Sequence, residues 1–222
     1  MSGPAVPTLR ERLRRAPAFG ADLPAFEPDD APADPHVLFE EWVLAAIDAG
    51  APAPQAMTLS TRGADGSVSA RVVVLKDVTA DGWHFATDAR SRKIRDLTAD
   101  AAVAASFYWP TLARQVRITG WAHAMGAAAS AVDFLERSPA SRGAALATRT
   151  GEVLGSHAEL VTAIAEATQR ADADRELVLP EWQVWVVVPE EVEFWQGSAE
   201  RAHVRAVYRR EAAGWTRTRV WP

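Results

Sequence analysis

The spacing of hydrophobic residues changes twice along the chain. Residues 34–50 carry apolar side chains at helical intervals, which predicts a helix with one buried face. The residues at this spacing are Leu38, Phe39, Trp42, Val43, Ala46 and Ile47. Asp34 suits the N-cap, Pro35 the first turn and Gly50 the position after the last turn. Residues 1–33 are rich in Pro, Ala and charge, and predict a flexible arm with little regular structure.

After this helix the period becomes that of β-strands. Three β-rich runs lie within residues 55–88, and Asp-Gly pairs at 65–66 and 81–82 separate them, which is typical of hairpins. Two further runs, 103–109 and 113–125, predict two more strands. Because these runs follow one another through short connections, the pattern favours an antiparallel meander that closes into a barrel.

The second change comes at residue 127, where helical spacing returns as far as residue 175. The clearest helix there begins at Ser156, with Glu159 three residues later as in a capping box. Strand patterns then resume between residues 182 and 221. The fold class predicted is mainly β with helices (α+β): one antiparallel barrel domain over residues 34–222, with helices packed outside it.

Composition and charge exclude several classes of function. The net charge of −5 disfavours a nucleic-acid partner, since such proteins usually present a net basic face. The absence of cysteine excludes disulfides and thiolate sites, and is consistent with a cytoplasmic location. No apolar run reaches the ~18 residues of a membrane span, and the N-terminus lacks the apolar segment of a signal peptide.

No familiar catalytic motif supplies its own reactive groups. Phosphate-binding and dinucleotide-binding glycine loops, HExxH and GxSxG are all missing, and the five histidines lack metal-ligand spacing, so no metal site is predicted. Glu190 and Glu191 are interpreted as a solvated turn. A protein that lacks reactive groups of its own is a candidate for binding a cofactor that supplies the chemistry.

Clusters of cations indicate where an anionic ligand could bind. Arg71 and Lys76 bracket an apolar strand, and their odd separation puts them on opposite faces unless the strand bulges. Ser91, Arg92 and Lys93 lie at a predicted helix start, where free N–H groups and the helix dipole favour phosphate.

Two further clusters lie towards the C-terminus. Arg114 and Gln115 open one strand, and Arg201, His203 and Arg205 alternate near the end. In an extended strand these last three would share one face and repel one another unless an anion neutralised them. A solvated surface is the alternative for any single cluster. Together the clusters indicate a barrel that binds a phosphorylated ligand.

The motifs around these cations resemble those of one known family. From about Pro32 to Pro222, and in order, ARVVVLKD, FATDARSRK, LARQVRITG and VEFWQG followed by RAHVR are similar to motifs of the pyridoxamine (pyridoxine) 5′-phosphate oxidases. These are FMN enzymes of the split-barrel fold. The resemblance implies an oxidase that takes a phosphorylated B6 vitamer to pyridoxal 5′-phosphate, passing a hydride to FMN, with O₂ as acceptor and H₂O₂ as product.

The resemblance also implies roles for individual residues. It implies a homodimer with FMN sites at the subunit interface, where Trp195 and Arg205 come from the second subunit. The FMN-binding residues would be Arg71, Val72, Val73, Val74, Leu75, Lys76, Ala86, Thr87, Ser91, Arg92, Lys93, Gln115, Thr150, Gly151, Trp195 and Arg205. The substrate-binding residues would be Lys76, Asp133, Arg137, Ser141, Arg201 and His203. Arg201 and His203 would be the catalytic pair.

Some positions depart from the family pattern. Asp133 stands where a tyrosine is usual, and Thr150 and Gly151 replace a Gln-Ser pair. A carboxylate near a phosphate is repulsive unless a cation intervenes. Two alternatives therefore stay open: a related FMN oxidase acting on another aromatic metabolite, as in phenazine biosynthesis, and a non-catalytic protein that binds flavin or pyridoxal phosphate.

Overall fold

The computed structural model of the protein describes residues 6–17, 19–20 and 22–222. Its helices are α1 (Leu9–Arg15), α2 (Pro35–Asp48), α3 (Arg92–Ala99), α4 (Ala127–Glu136), α5 (Pro139–Ala147) and α6 (His157–Ala173). Its strands are β1 (Ala56–Arg62), β2 (Val68–Thr79), β3 (Gly82–Asp88), β4 (Ala102–Trp109), β5 (Arg114–Ala124), β6 (Trp182–Gln196), β7 (Val204–Glu211) and β8 (Gly214–Val220). Two short 3₁₀ turns cover Pro28–Asp30 and Pro110–Leu112.

Six strands form a closed antiparallel barrel, which confirms the predicted fold class. The neighbour order is β3-β2-β1-β4-β5-β6, and pairing of β3 with β6 closes the ring. Strands β7 and β8 continue the sheet beyond β6. The predicted simple meander is wrong at one point: β4 pairs with β1 rather than with β3. Helix α3 connects β3 to β4 and packs against β1, so the chain passes β1 before it re-enters the sheet.

Both Asp-Gly pairs lie at hairpin turns, as predicted. Gly66 has φ +80° in the turn between β1 and β2, a conformation that glycine adopts without strain. Gly82 opens β3 with φ +142°, and a side chain there would meet the Val187 carbonyl oxygen at 2.0 Å. Glycine at position 82 therefore permits the close approach of β3 and β6 that shuts the barrel.

The core fills the barrel and extends under α2. Asp34 caps this helix by accepting the His36 N–H at 2.8 Å. Burial decreases along one side of α2: Phe39 is buried, Val43 is half-buried and Ile47 is exposed. The expected burial of Ile47 is therefore wrong. The largest fully buried side chains are Trp83, Trp109, Tyr208, Phe39, Phe85, Phe107, Phe134 and Phe194.

The predicted helical region 127–175 consists of three helices. Serines divide it, since each offers its hydroxyl to a free N–H at a helix start. The Ser138 Oγ accepts the Ser141 N–H at 3.3 Å to begin α5, and the Ser156 Oγ accepts the Glu159 N–H at 3.1 Å to begin α6. Helix α5 was not predicted as a separate element.

The N-terminal arm is more regular than its composition predicts. Residues 1–5, 18 and 21 lie outside the described residues. Helix α1 is exposed throughout and begins with a capping box in which Thr8 and Glu11 exchange hydrogen bonds. Further on, the Tyr208 hydroxyl donates to the Pro32 carbonyl at 2.8 Å and Arg217 donates to the Asp29 carbonyl at 3.1 Å. These bonds attach the end of the arm to β7 and β8.

The predicted turn at Glu190 and Glu191 is wrong, because both residues belong to β6. A register shift opposite Thr119 and Gly120 makes Glu190 an extra residue of a β-bulge, and Glu191 pairs with Arg209 at 2.9 Å.

None of the helices in the described residues has the length and hydrophobicity needed to cross a membrane.

Candidate functional site

The start of α3 carries a buried hydroxyl that its own helix does not use. The predicted helix start is confirmed, and Ser91 is the N-cap of α3, yet its side chain makes no capping hydrogen bond. Its Oγ is buried, and among the described residues it has no hydrogen-bond partner. The first N–H groups of a helix also lack intrahelical acceptors. This end of α3 therefore offers several unused donors to an anion.

Lys93 and Arg71 bring two cations to the same place. The Lys93 ammonium donates to the Thr87 Oγ1 at 2.8 Å, at the end of β3. Burial lowers the pKa of Lys93, and the nearby Arg71 guanidinium lowers it further. Burial also lowers the pKa of Arg71. Two partly desolvated cations that repel each other are stabilised by an added anion.

Arg71 is held by a counter-ion that the sequence did not reveal. It donates to the Leu59 carbonyl, the Thr61 Oγ1 and the Ser69 Oγ, and its Nη2 lies 3.9 Å from the Asp96 carboxylate. Asp96 is buried on α3 and also accepts from Thr61 at 2.8 Å. The only sequence signal for it is an acidic residue four positions after Arg92 on an amphipathic helix.

The neighbouring predicted flavin contacts surround this cluster. Arg92 is exposed and donates to the Ser67 Oγ at 2.9 Å. Along β2 the side chains of Val72 and Val74 are exposed, whereas Val73 and Leu75 pack against the core. Ala86 precedes Thr87 on β3. We call Arg71, Thr87, Ser91, Arg92 and Lys93 the α3 cluster.

Thr150 and Gly151 lie in the loop between α5 and α6. The Thr150 Oγ1 donates to the Asp88 carboxylate at 3.1 Å, which brings this loop to the end of β3. Burial alone would raise the pKa of Asp88, but hydrogen bonds from Arg90 and Thr150 outweigh it and lower that pKa. Gly151 is exposed with φ +90°. The structure thus places Thr150 beside the α3 cluster.

A second group of predicted residues contains an internal ion pair. β2 has a bulge between Leu75 and Asp77, so Lys76 is the extra residue and the alternation of faces is broken there. The Lys76 ammonium lies 2.9 Å from the Asp133 carboxylate on α4, and the two side chains are 32% and 13% exposed. We call Lys76, Asp133, Arg137 and Ser141 the α4 cluster.

Trp182, which sequence reasoning did not assign, organises this cluster. Its indole N–H donates to the second Asp133 oxygen at 2.8 Å, and the Arg137 guanidinium stacks on its ring at 4.2 Å. Arg137 also donates to the Ser141 carbonyl at 2.9 Å, and burial lowers its pKa. Arg137 and Trp182 line a cavity of about 250 Å³ that reaches Asp88 and Thr150. The α3 and α4 clusters therefore lie on the same side of the barrel.

The C-terminal cations are arranged differently from the prediction. Arg201 is exposed and has φ +65°, in the loop before β7, so it is not part of an extended strand. The expected alternation of Arg201, His203 and Arg205 on one strand face is therefore wrong. The Arg201 N–H donates to the Ser198 carbonyl at 3.1 Å, which closes a tight turn.

His203 and Trp195 form an aromatic patch beside that turn. Their ring centroids are 5.0 Å apart, and the His203 Nδ1 accepts the Ser198 N–H at 3.0 Å. This bond leaves the proton of the neutral imidazole on Nε2. Phe19 from the arm packs 5.9 Å from both rings. Phe19 thus packs on His203, one of the two residues predicted to be catalytic, a contact that nothing in the sequence indicated.

Gln115 and Arg205 flank this patch. In the sheet, Gln115 pairs with Trp195 and Trp195 pairs with Arg205. Arg205 is held by the buried Glu193 at 2.6 Å. We call Gln115, Trp195, Arg201, His203 and Arg205 the β7 cluster.

Gln115 and Trp195 lie at the opposite end of β6 from Thr87. Thr87 pairs with Gln183 near the start of β6, whereas Gln115 pairs with Trp195 at its end. Twelve residues of strand separate these positions, roughly 40 Å of extended chain.

Comparison with known proteins identifies the family. The family described as "Pyridoxamine 5′-phosphate oxidase" matches residues 43–196, and the "Pyridoxine 5′-phosphate oxidase C-terminal dimerisation region" matches residues 182–222. The fold and these matches define a flavin-dependent oxidoreductase with a split β-barrel. The chain belongs to the pyridoxamine 5′-phosphate oxidase family, which confirms the resemblance seen in its motifs. The dimerisation region supports a homodimer.

Individual relatives agree with this assignment. Proteins named pyridoxine/pyridoxamine 5′-phosphate oxidase from Thermosynechococcus vestitus and Burkholderia multivorans are both 42% identical, over 194 and 200 residues, covering 87% of this chain and 91% of each relative. A solved structure of PhzG from Burkholderia lata, in complex with tetrahydrophenazine-1-carboxylic acid, superposes with a TM-score of 0.82 at 27% identity, covering 90% of this chain and 99% of that one. An FMN-binding protein from Nostoc punctiforme shares the fold, with a TM-score of 0.70 at 19% identity, covering 86% of this chain and 98% of that one.

The sequence predicts no metal site. In residues 6–17, 19–20 and 22–222, no three His, Cys, Asp or Glu side chains are grouped so that they could hold a metal ion.

Proposed function

We propose that the protein is an FMN-dependent oxidase that converts pyridoxine 5′-phosphate or pyridoxamine 5′-phosphate to pyridoxal 5′-phosphate. The substrate loses a hydride and a proton, and O₂ accepts both electrons to become H₂O₂. With the amine, water hydrolyses the resulting imine and releases ammonia. The observation that carries the proposal is the α3 cluster, where the partnerless Ser91 hydroxyl lies at a helix start beside the partly buried cations Lys93 and Arg71. The relatives at 42% identity support the choice of substrate.

The residues of the chain fit FMN at the α3 cluster. Ser91, Lys93 and the first N–H groups of α3 would hold its phosphate, with Arg71 and Arg92 adding positive charge. Bound there, the flavin would supply the two-electron chemistry that the side chains lack. Thr87 and Thr150 would lie beside it, since both line the end of β3.

The β7 cluster would complete the site from a second copy of the chain. Within one chain Gln115 and Trp195 lie at the opposite end of β6 from Thr87, and the matched dimerisation region supports a second copy that could bring them to the same ligand. Trp195 and Arg205 would then contact FMN, and Arg201 and His203 would orient the substrate. The neutral His203 carries its proton on Nε2, where it can donate to the substrate.

A second candidate function rests on the α4 cluster. Asp133 already neutralises Lys76, one of the cations expected to bind the substrate phosphate. PhzG, which superposes at 27% identity, binds tetrahydrophenazine-1-carboxylic acid, a tricyclic carboxylate. An oxidase of another reduced aromatic metabolite is therefore the competing proposal.

Anaerobic mixing separates these two functions. We expect the absorbance of the long-wavelength flavin band to fall when pyridoxine 5′-phosphate or pyridoxamine 5′-phosphate is added to the flavin-loaded protein. Pyridoxal 5′-phosphate should form as the flavin is reduced, and admission of air should then reoxidise the flavin with one H₂O₂ formed for each pyridoxal 5′-phosphate. Flavin that stays oxidised with both vitamers but bleaches with a dihydrophenazine carboxylate would refute the first function and support the second. A protein that takes up no FMN would refute both.

A further inference from the structure

The α4 cluster holds a carboxylate at the place where the proposed function needs positive charge. Asp133 is not a mobile surface group: one oxygen contacts the Lys76 ammonium at 2.9 Å and the other accepts the Trp182 indole N–H at 2.8 Å. Its side chain is only 13% exposed. Two fixed contacts in a partly desolvated position keep it from turning away at low cost.

The charge count of the cluster follows from these contacts. Lys76 and Arg137 supply two positive charges and Asp133 supplies one negative charge, which leaves a net charge of +1. A phosphate ester carries about −1.5 to −2 near neutral pH. To bind Lys76, such a group must compete with Asp133 for the same ammonium and sit within a few ångströms of a like charge. A group with one negative charge matches the cluster better.

We propose that Asp133 is a specificity-determining residue that acts as a built-in counter-ion of Lys76 and shifts the site towards substrates with at most one negative charge at this end. This inference rests on the proposed location of the substrate beside the α4 cluster. It makes the preference for phosphorylated over unphosphorylated vitamers weak in this chain. It also gives Lys76 a small share in phosphate binding as long as Asp133 is present.

The test is a double-mutant cycle read by equilibrium binding. D133N keeps the size and the acceptor for Trp182 but removes the charge, and K76M removes the cation. Flavin-loaded wild type, both single variants and the double variant would be titrated with pyridoxal 5′-phosphate and with pyridoxal, following the pyridoxal absorbance. Asp77 is an exposed carboxylate next to Lys76 in sequence, so D77N is the matched control for a general loss of charge.

We expect D133N to tighten pyridoxal 5′-phosphate binding about tenfold or more, while pyridoxal binding stays within about twofold. D77N should change neither dissociation constant by more than about twofold. K76M should cost little affinity in the wild-type background and about tenfold or more in the D133N background, because only there is the ammonium free to bind phosphate.

Unchanged or weaker phosphate binding in D133N would overturn the inference, as would the same effect of K76M in both backgrounds. Flavin content and the melting temperature of each variant show that it is folded. If D133N does not fold, D133S serves in its place. Binding does not depend on turnover. If D133N binds pyridoxal 5′-phosphate more tightly but the protein oxidises neither vitamer, only the proposed function is refuted.

Discussion

Replacing Lys93 by methionine should weaken FMN binding by about a hundredfold or more, ~2.7 kcal/mol. Lys93 is half-buried beside Ser91 and Arg71, and its lowered pKa reflects the cost of holding a desolvated cation there without an anion. A phosphate would repay that cost through a charge-assisted hydrogen bond, which methionine cannot make. The measurement is a titration of apoprotein with FMN, followed by quenching of flavin fluorescence.

Arg95 provides a matched control for this change. It lies on the same helix but is exposed, and it donates to the Arg90 carbonyl instead of facing Lys93. R95M should therefore bind FMN within about twofold of wild type. Equal losses in K93M and R95M would show that the general charge of α3, and not a phosphate position at its N-terminus, governs the affinity.

Replacing Arg201 by alanine should lower kcat/KM for pyridoxine 5′-phosphate about a hundredfold and leave FMN affinity within about twofold. Arg201 is exposed at the edge of the His203 and Trp195 patch, where it would orient the substrate, and lost orientation costs catalysis of this order. The rate of anaerobic flavin reduction in flavin-loaded R201A measures the chemical step directly.

Arg209 is the control for Arg201. It lies on β7, is exposed and pairs with Glu191, away from the patch. R209M should reduce flavin at close to the wild-type rate. If R201A loses FMN in proportion to activity, or if R209M is as slow as R201A, the role given to Arg201 is incorrect.

The sequence predicts those parts of the structure that depend on local patterns. The Asp-Gly turns, the Asp34 and Ser156 caps and the strands follow from neighbouring residues, and the structure confirms them. The position of β4 beside β1 depends on closure of the barrel by β3 and β6, which no local period records. The motif resemblance located the candidate residues, and the structure brings the α3 and α4 clusters to one side.

The contacts that define the chemistry could not be predicted, because they join distant parts of the chain. Asp133 was recognised as a departure, but its pairing with Lys76 depends on a bulge in β2 that the sequence left open. The alternating sequence pattern predicts that Arg201 lies on a strand, because such a pattern carries no information about backbone φ. The φ of +65° at Arg201 turns the chain there. Trp182 had no signal that would distinguish it from a core tryptophan.

In the proposed enzyme, each site would take its α3 cluster from one chain and its β7 cluster from another. Co-expressing K93M and R201A chains with different tags, and purifying the heterodimer through both, tests it directly. One site of that heterodimer would keep both Lys93 and Arg201, so we expect about half of the wild-type oxidase activity per dimer, from two variants that are each nearly inactive alone. A heterodimer no more active than its two parents would contradict the shared site.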